Sequence, residues 1–537
     1  MRWVPLTTLL FACGRSPTEW VQMRDGAALA TDVRLPRGKG PFPTVLVRTP
    51  YGRTEATIRL SASLNEAGVA LVVQDMRGRF DSEGLDQVFT TDGDGDLQDG
   101  YDTLEWVVDQ RWSNGRVGTF GDSAEGIVQY LTAATDPPGL AVMHAGVATP
   151  SLYDDAMFSG GMRRYALSHM WLEQQGSLHF EEELANHPND DAFWEPTQML
   201  PRAGNVRVPA VHTAGWFDTF RDGSIDAFLA FQHRGGDGAA GQQKLIVGPW
   251  THQGLWGTEQ GELTFPDNAT DLPSGNVFDV MFNAYLGLNH PEIDDVPDDV
   301  PAVQYYVMGD VDDPDAPGNT WRAAAGWPPP SATMRLYLAP GEGLEADRPS
   351  GSQTSYVFDP DDPAPTVCGA NLMIEGGPCD QRDVEARPDV VVFDTGVLSE
   401  PLEITGQVFA HLFVDIDRPD ADLVVKLTDV YPDGRSMWIT EGALRLAKRN
   451  PGEGLTPLAS GEIVEAVVDL GNTSIIVNTG HQVRLSVTSS SWPRYSVNRN
   501  NGLDYPAYAE GGGAPVVVRV HHGGEHASFV DLPGPLE

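Results

Sequence analysis

The chain has 537 residues, of which 41% are hydrophobic and 21% charged, and its 76 acidic and 35 basic residues give a formal net charge of −41. This length exceeds the roughly 250–300 residues at which a single core stops growing, so two or three domains are expected. The charge argues against a nucleic acid partner, because phosphate backbones would be repelled. Such an acid-rich surface would suit a saline habitat, where counterions screen the self-repulsion.

Residues 1–19 resemble an export segment and linker. An apolar run from Val4 to Ala12 precedes Cys13, and the sequence around this cysteine is similar to the cleavage box of bacterial lipoproteins. The run is short for a signal peptide, so a mistaken start codon or a buried first strand is the alternative. We expect an exported protein, either anchored to a membrane through a lipid on Cys13 or periplasmic or extracellular.

The other two cysteines, Cys368 and Cys379, lie close together in a segment rich in glycine and proline. A disulfide between them would fit an oxidising compartment and therefore export. Two free thiols in a cytosolic protein are the alternative, because spacing alone does not fix the geometry.

Residues 20–149 show the alternation of strands and helices that is typical of a mainly parallel sheet covered by helices. We interpret this segment as the first part of an α/β-hydrolase domain. The predicted strands are 43–48, 69–73, 117–120 and 141–147, and the predicted helices are 55–67, 101–112 and 127–134.

The alternation stops at Pro150. Residues 150–207 are aromatic and helix-prone, which predicts a helical cap inserted into the hydrolase domain. The α/β pattern returns over 208–326, with strands at 208–211, 244–247 and 302–308 and a helix at 277–286. From 327 to 537, short strand patterns separated by turn residues predict an all-β sandwich or jelly roll.

Three short motifs after predicted strands carry a hydroxyl, a carboxylate and an imidazole. Ser123 lies in the segment 121–126, Gly-Asp-Ser-Ala-Glu-Gly, between a strand and a helix, where a sharp turn would expose its hydroxyl. Asp218 ends Gly-Trp-Phe-Asp and His252 ends Gly-Pro-Trp-Thr-His. Each could alone be a tight turn, a helix cap or a loop histidine. Together, at the carboxyl ends of parallel strands, they predict the nucleophile, acid and base of a serine hydrolase.

Further motifs make the chain similar to the cocaine-esterase-like and X-Pro dipeptidyl-peptidase-like hydrolases, a group that includes α-amino acid ester hydrolases and glutaryl acylases. The resemblance spans nearly the whole chain and includes Arg-Thr-Pro-Tyr at 48–51 and the segments 74–79, 99–106, 380–390 and 480–498. It implies an α/β-hydrolase fold with an inserted helical cap and a C-terminal jelly-roll domain of the galactose-binding-like type.

The resemblance also implies roles for individual residues. Ser123 corresponds to the nucleophile, His252 to its general base and Asp218 to the acid that orients the base. The hydroxyl of Tyr51 and the backbone N–H of Ala124 correspond to the donors that stabilise the oxyanion. The resemblance implies no cofactor.

The chain departs from the family pattern at two places. The family usually has tyrosine where this chain has Ala124, so an aromatic wall beside the acyl group is lost. The amino-ester hydrolases carry extra carboxylates where Thr219, Phe220 and Arg221 stand, which argues against amino-ester specificity. Glu125 could replace them only if its side chain points into the pocket, and helix starts favour glutamate in any case.

Aromatic residues of the cap and of the Asp218 motif are expected to line the substrate pocket, namely Phe158, Tyr165, Trp171, Trp216 and Phe217. No metal site is expected. The acidic run 92–96 imitates a calcium loop but lacks its central glycine and closing glutamate, so it is interpreted as a solvated loop.

These observations predict an exported serine esterase or acylase that cleaves a small-molecule ester or amide through an acyl-enzyme. The first alternative is an X-Pro dipeptidyl-peptidase that acts on short peptides. The second is a surface protein whose jelly roll binds carbohydrate while the hydrolase domain is inert.

Overall fold

The computed structural model describes residues 18–273, 275, 277–287, 300–450 and 452–535. The predicted export segment, with Cys13, lies almost entirely outside these ranges. In the described ranges the strands are β1 (Glu19–Gln22), β2 (Ala28–Arg34), β3 (Phe42–Thr49), β4 (Ala70–Asp75), β5 (Ser113–Asp122), β6 (Leu140–Gly146), β7 (Phe158–Ser159), β8 (Met162–Arg163), β9 (Ala210–Phe217), β10 (Lys244–Thr251), β11 (Glu259–Gln260), β12 (Leu263–Thr264), β13 (Val303–Val307), β14 (Thr320–Ala324), β15 (Ser331–Ala339), β16 (Gly343–Glu345), β17 (Ser352–Phe358), β18 (Val391–Asp394), β19 (Leu402–Ile416), β20 (Asp422–Val430), β21 (Ser436–Arg445), β22 (Val464–Val477), β23 (Gln482–Thr488), β24 (Val516–His522) and β25 (Phe529–Pro535).

The α-helices of the same ranges are α1 (Arg53–Glu66), α2 (Asp99–Val108), α3 (Ala124–Ala133), α4 (Met170–Gln175), α5 (Glu181–Asn186), α6 (Arg221–Arg234), α7 (Val277–Leu286), α8 (Arg382–Glu385) and α9 (Ala507–Glu510). Two π-helical turns, Leu152–Met157 and Tyr165–His169, precede α4. None of the helices in the described part is long and apolar enough to cross a membrane.

A ten-stranded sheet organises the N-terminal domain, in the order β1-β2-β4-β3-β5-β6-β9-β10-β13-β14. From β4 to β13 each strand is parallel to its neighbour. Helices connect these strands and cover the sheet; all ten residues of α3 are buried. The carboxyl ends of β3, β5, β9 and β10 therefore lie at one edge of the sheet, as in an α/β hydrolase.

Short helical segments, rather than long helices, form the cap between β6 and β9. Its core is aromatic: Trp194 is fully buried and its ring lies 5.5 Å from that of Tyr153. A two-residue hairpin, β7–β8, interrupts the helical segments and was not predicted.

The C-terminal part is a separate all-β domain of eleven strands, β15–β25, which pair in a mainly antiparallel way. Its longest strand, β19, pairs with β22 along nearly its whole length. Arg221 at the start of α6 joins the domains, because its guanidinium donates to the Leu470 carbonyl and to the Thr440 hydroxyl, both at 3.1 Å. The β-domain thus packs against the element that follows Asp218.

The expectation of a solvated loop at 92–96 was wrong for Asp92. This carboxylate is fully buried and paired with Arg48, and burial raises its pKa to about 6. The cap is the physical reason for this burial. It lies so close to the segment that a Cβ added to Gly93, the residue after Asp92, would be 1.7 Å from the Pro196 carbonyl oxygen. In the described part, no group of three or more histidine, cysteine or carboxylate side chains is arranged to hold a metal ion.

Candidate active site

Four loops at the carboxyl ends of parallel strands carry the predicted catalytic residues. Tyr51 follows β3, Ser123 follows β5, Asp218 follows β9 and His252 follows β10. Because these strands belong to one sheet and run in the same direction, the four side chains leave from the same edge.

Ser123 stands in a strained turn between β5 and α3. Its φ of 59° and ψ of −125° are unusual for a residue with a side chain. The turn is anchored by the Ser123 N–H, which donates to the Gly146 carbonyl at 2.8 Å. A Cβ on Gly121 would lie 2.3 Å from the Glu125 Cβ, and one on Gly126 would lie 2.7 Å from the Ala148 Cβ. The two glycines therefore permit the close turn that presents the serine.

Asp218 and His252 form a buried hydrogen-bonded pair. The His252 Nδ1 lies 2.6 Å from Asp218 Oδ2, and the other carboxylate oxygen accepts the Phe220 N–H at 2.8 Å. With both oxygens engaged, the carboxylate fixes the imidazole plane and favours a proton on Nδ1, which leaves Nε2 available as a base. The Phe220 ring packs against the imidazole at 5.8 Å and also lines the cavity beside Ser123.

The hydroxyl of Tyr51 is hydrogen-bonded to Ser123 and accepts the indole N–H of Trp171 at 3.3 Å. The residue as a whole is 41% exposed, but its hydroxyl points into the cleft, and burial there raises its pKa. The phenol therefore stays protonated and can donate to an anion that forms beside Ser123.

The cavity at Ser123 is small and apolar, with a volume of about 30 Å³. Among the described residues none of its lining side chains is charged. The lining residues are Phe89, Ser123, Ala124, Ile127, Leu152, Ala156, Met157, Leu167, Ser168, Trp171, Phe220 and Leu372. Phe89 and Trp171 stack with ring centroids 5.7 Å apart, so they provide an aromatic wall although position 124 is alanine.

Of the five aromatic residues expected to line the substrate pocket, Trp171 lines this cavity, and the other four are not among the described residues that line it. Phe158 is buried in the cap core, and Trp216 and Phe217 are buried between the domains. The latter two belong to β9 itself, where alternate side chains point into the two faces of the sheet instead of over its edge. Tyr165 stacks on His169 at 4.6 Å, away from the cavity.

Phe89 and Leu372 are among the nine lining residues that the sequence analysis did not place in the pocket. Phe89 comes from an irregular segment before α2 and has a positive φ of 67°, so no periodic pattern marks it. Leu372 belongs to the β-domain, in the loop closed by a disulfide between Cys368 and Cys379. Its carbonyl accepts the side-chain N–H of Gln253, the residue after His252, at 3.2 Å. The close spacing of Cys368 and Cys379 in the sequence indicated that a disulfide could hold this loop in place.

Glu125 does not line the cavity. It is buried behind the turn, where its carboxylate is hydrogen-bonded to the Thr49 side chain and lies 3.9 Å from Arg59. The Thr49 hydroxyl oxygen also accepts the N–H of Tyr51 at 3.1 Å. Burial raises the pKa of Glu125 to about 7. This carboxylate therefore supports the strand end that carries Tyr51 and is not placed to hold a substrate ammonium.

Comparison with known proteins agrees with this geometry. The family model described as X-Pro dipeptidyl-peptidase (S15 family) matches residues 25–179 and 164–254. The model described as X-Pro dipeptidyl-peptidase C-terminal non-catalytic domain matches residues 295–531. A cocaine esterase from a Rhodococcus species is 31% identical, over 96% of this chain and 97% of its own.

Two solved structures share the whole fold at 25% identity. An aminopeptidase from a marine sediment archaeon of the Thaumarchaeota superposes with a TM-score of 0.82, covering 96% of each chain. An α-amino acid ester hydrolase superposes with a TM-score of 0.80, covering 98% of this chain and 100% of its own. The chain thus belongs to the family of cocaine esterase and the S15 X-Pro dipeptidyl-peptidases, and it is a serine hydrolase that cleaves ester or amide bonds.

Proposed function

We propose that the protein is an esterase for small substrates with an apolar acyl group, and that Ser123 is its nucleophile. The observation that carries this proposal is the strained turn of Ser123 at the wall of an apolar cavity, at the sheet edge that also carries the Asp218–His252 pair. His252 acts as the base, Asp218 orients it, and the Tyr51 hydroxyl and the Ala124 N–H stabilise the oxyanion.

The reaction takes place in two halves. The Ser123 oxygen attacks the carbonyl carbon while His252 Nε2 takes the hydroxyl proton, and the oxyanion accepts hydrogen bonds from Tyr51 and Ala124. His252 then gives the proton to the leaving alcohol, and the acyl-enzyme remains. Water attacks this ester with the same base, the Ser123 oxygen regains a proton, and the free acid leaves.

The lining of the cavity supports a neutral acyl group. A charged group entering it would lose its hydration, and in the described part no side chain of opposite charge lines the cavity to compensate. Its small volume, about 30 Å³, supports short acyl chains, with the cleft beside the exposed face of Tyr51 left for the alcohol.

Ser123→Ala tests the proposal, with Ser168→Ala as the matched control because Ser168 also lines the cavity. With p-nitrophenyl acetate and butyrate, we expect Ser123→Ala to lower kcat by about 10⁴-fold or more, and Ser168→Ala by less than about tenfold. Equal losses in the two variants, with both folds intact, would contradict the role of Ser123.

A peptidase that removes X-Pro dipeptides is the second candidate, supported by the description of the matching family and by the aminopeptidase of the same fold. Such an enzyme needs a group that holds the substrate's amino terminus. No charged side chain is among the described residues that line the apolar cavity, which favours the esterase. Measuring kcat/KM on X-Pro p-nitroanilides and on p-nitrophenyl esters with one preparation separates the two; a higher value on the anilides would favour the peptidase.

We further propose that the protein is exported and lipidated at Cys13. The lipoprotein-like sequence before this cysteine supports the proposal, and the disulfide between Cys368 and Cys379 agrees with an oxidising compartment. Mass spectrometry of the mature N-terminus tests it. We expect a chain that begins at a lipid-modified Cys13, and an intact Met1 would contradict export by this route.

A further inference from the structure

The turn of residues 218–220, which follows β9, holds the acid of the proposed triad. Asp218 Oδ1 accepts the N–H of Phe220 at 2.8 Å, so the position of the carboxylate depends on the backbone of this turn. Phe220 lines the apolar cavity at Ser123. A second cavity of about 260 Å³ borders the turn on its other side, where Asp218 and Thr219 line it. The turn thus lies between two cavities, which leaves fewer packed neighbours to hold its backbone.

Arg164 of the cap binds the middle residue of this turn. Its Nη2 donates to the Thr219 carbonyl at 3.2 Å and to the Thr219 hydroxyl at 2.6 Å, and its Nη1 donates to the Asp155 carbonyl of the cap. The arginine is buried, with 6% of its surface exposed. Hydrogen bonds from a charged donor are stronger than those from a neutral one, and burial strengthens them further. The guanidinium therefore ties the cap to the turn that carries Asp218.

The backbone of Arg164 is in turn hydrogen-bonded to the wall of the apolar cavity. Its N–H donates to the Met157 carbonyl at 3.0 Å, and its carbonyl accepts the Ser168 N–H at 3.0 Å and the Ser168 hydroxyl. Met157 and Ser168 both line the apolar cavity. One residue thus connects the cap wall of this cavity with the turn that fixes the acid of the triad.

We propose that Arg164 is a positioning residue for the hydrolysis, which holds the turn 218–220 so that the Asp218 carboxylate stays aligned with His252. Arg164 is not among the described residues that line the apolar cavity. It acts through Asp218, so its loss should slow the chemical step and leave substrate binding nearly unchanged. This inference rests on the role of Asp218 proposed above.

Arg164→Met removes the charged donors and keeps much of the side-chain volume. We expect kcat with p-nitrophenyl butyrate to fall by about 10- to 100-fold and KM to change by less than about threefold, because the turn shifts while the cavity lining stays. Arg163→Met is the matched control, since Arg163 is also a buried cap arginine but donates to the Met157 carbonyl and to Glu181. Its kcat should stay within about threefold of the wild type. Equal falls in kcat, or a change confined to KM in Arg164→Met, would overturn the proposal.

Thr219 tests the same contact from the other side, and keeps the proposal testable if Arg164→Met does not fold. Thr219→Val removes the hydroxyl acceptor and should lower kcat by about tenfold, whereas Thr219→Ser keeps the hydroxyl and should stay within about threefold of the wild type. Because the hydroxyl acts through Arg164, adding Thr219→Val to Arg164→Met should lower kcat by no more than about twofold further. Unchanged kcat in Thr219→Val, or fully additive losses, would contradict the proposal.

Proton NMR gives a readout that does not depend on turnover. The His252 Nδ1 proton, shared with Asp218 across 2.6 Å, should give a downfield resonance that is shifted or lost in Arg164→Met and kept in Arg163→Met. An unchanged resonance in Arg164→Met would overturn the proposal. Asp218→Asn separates this inference from the proposed function. If Asp218→Asn lowers kcat and Arg164→Met does not, only the role of Arg164 is wrong; if Asp218→Asn leaves kcat unchanged, both roles are wrong.

Discussion

The two cavities that flank the segment 218–220 differ in size and in chemistry. The cavity at Ser123 is about 30 Å³ and apolar, and Phe220 faces it; the other is about 260 Å³ and charged, and Thr219 faces it. One short segment thus separates an apolar environment from a polar one. The comparison teaches that hydrogen bonds to Ser123 and His252 act at low local dielectric, where they are strongest. The charged side chains instead line the second cavity, on the other side of Asp218.

Breaking the hydrogen-bonded pair of Asp218 and His252 should cause the largest loss of activity. Asp218→Asn keeps the size of the side chain but reverses the preference for a proton on His252 Nδ1, and we expect kcat to fall by about 10⁴-fold. Steady-state kinetics with p-nitrophenyl butyrate measures it. Asp237→Asn is the control for loss of one carboxylate from this acidic chain. A loss below about tenfold in Asp218→Asn would remove the pair from the mechanism.

The apolar side can be tested at its donor to the oxyanion. Tyr51→Phe keeps the ring and removes the hydroxyl, so kcat should fall by about 10²- to 10³-fold while KM changes little. Trp171→Phe, which removes the indole N–H that Tyr51 accepts, should cost less than about tenfold. Equal losses in the two variants, or a loss in Tyr51→Phe confined to KM, would contradict donation by Tyr51 in the transition state.

Glu125 sharpens the comparison, because it is a carboxylate buried beside the apolar side. Its pKa is raised from 4.5 to about 7 by burial, so the folded state favours the protonated form. Between pH 4.5 and pH 7 the unfolded state therefore binds fewer protons than the folded state. The contribution of Glu125 to the free energy of unfolding is complete below pH 4.5 and is lost as the pH rises through 7.

Glu125→Gln keeps the neutral form at every pH. Relative to the wild type, the variant should therefore gain on the order of 1–3 kcal/mol of unfolding free energy between pH 4.5 and pH 8. Urea unfolding at a series of pH values measures this difference. Parallel stability curves for the two proteins would show that the pKa of Glu125 is not raised on folding.

The smallest loss of activity is expected for Leu372, the residue of the β-domain that lines the apolar cavity. Leu372→Ala should lower kcat/KM by a few-fold, mainly through KM, because one wall of the cavity recedes while the reacting groups stay in place. Ile463→Ala, an exposed apolar residue of the same domain, is the control. A fall in kcat rather than a rise in KM would show that this loop also positions His252 through Gln253.

The sheet and the predicted triad could be read from the sequence because each rests on a local signal. Buried parallel strands are continuous apolar runs, and a serine, an aspartate or a histidine directly after such a run is placed at the sheet edge by topology alone. The observed helix α3 (Ala124–Ala133) begins immediately after Ser123, three residues before the predicted start at 127. The first residues of the helix also belong to the Ser123 turn motif and lack the apolar spacing by which the helix was predicted.

The pocket was harder to predict because long-range packing decides it. Trp216 and Phe217 are adjacent to the Asp218 motif in sequence, yet strand geometry turns them into the core. Phe89 and Leu372 reach the cavity from an irregular segment and from another domain. The burial of Asp92 likewise depends on the cap, because Pro196, which is far along the chain, covers the neighbouring Gly93. Side-chain period carries no information about such contacts.

Mass spectrometry of the protein after reaction with a fluorophosphonate tests the central claim most directly. The claim is that the hydroxyl of Ser123, at the wall of the apolar cavity, is the activated nucleophile. We predict one adduct per chain, located by peptide sequencing at Ser123 and absent from Ser123→Ala. An adduct on another serine, or no adduct on a folded wild-type protein, would contradict the account.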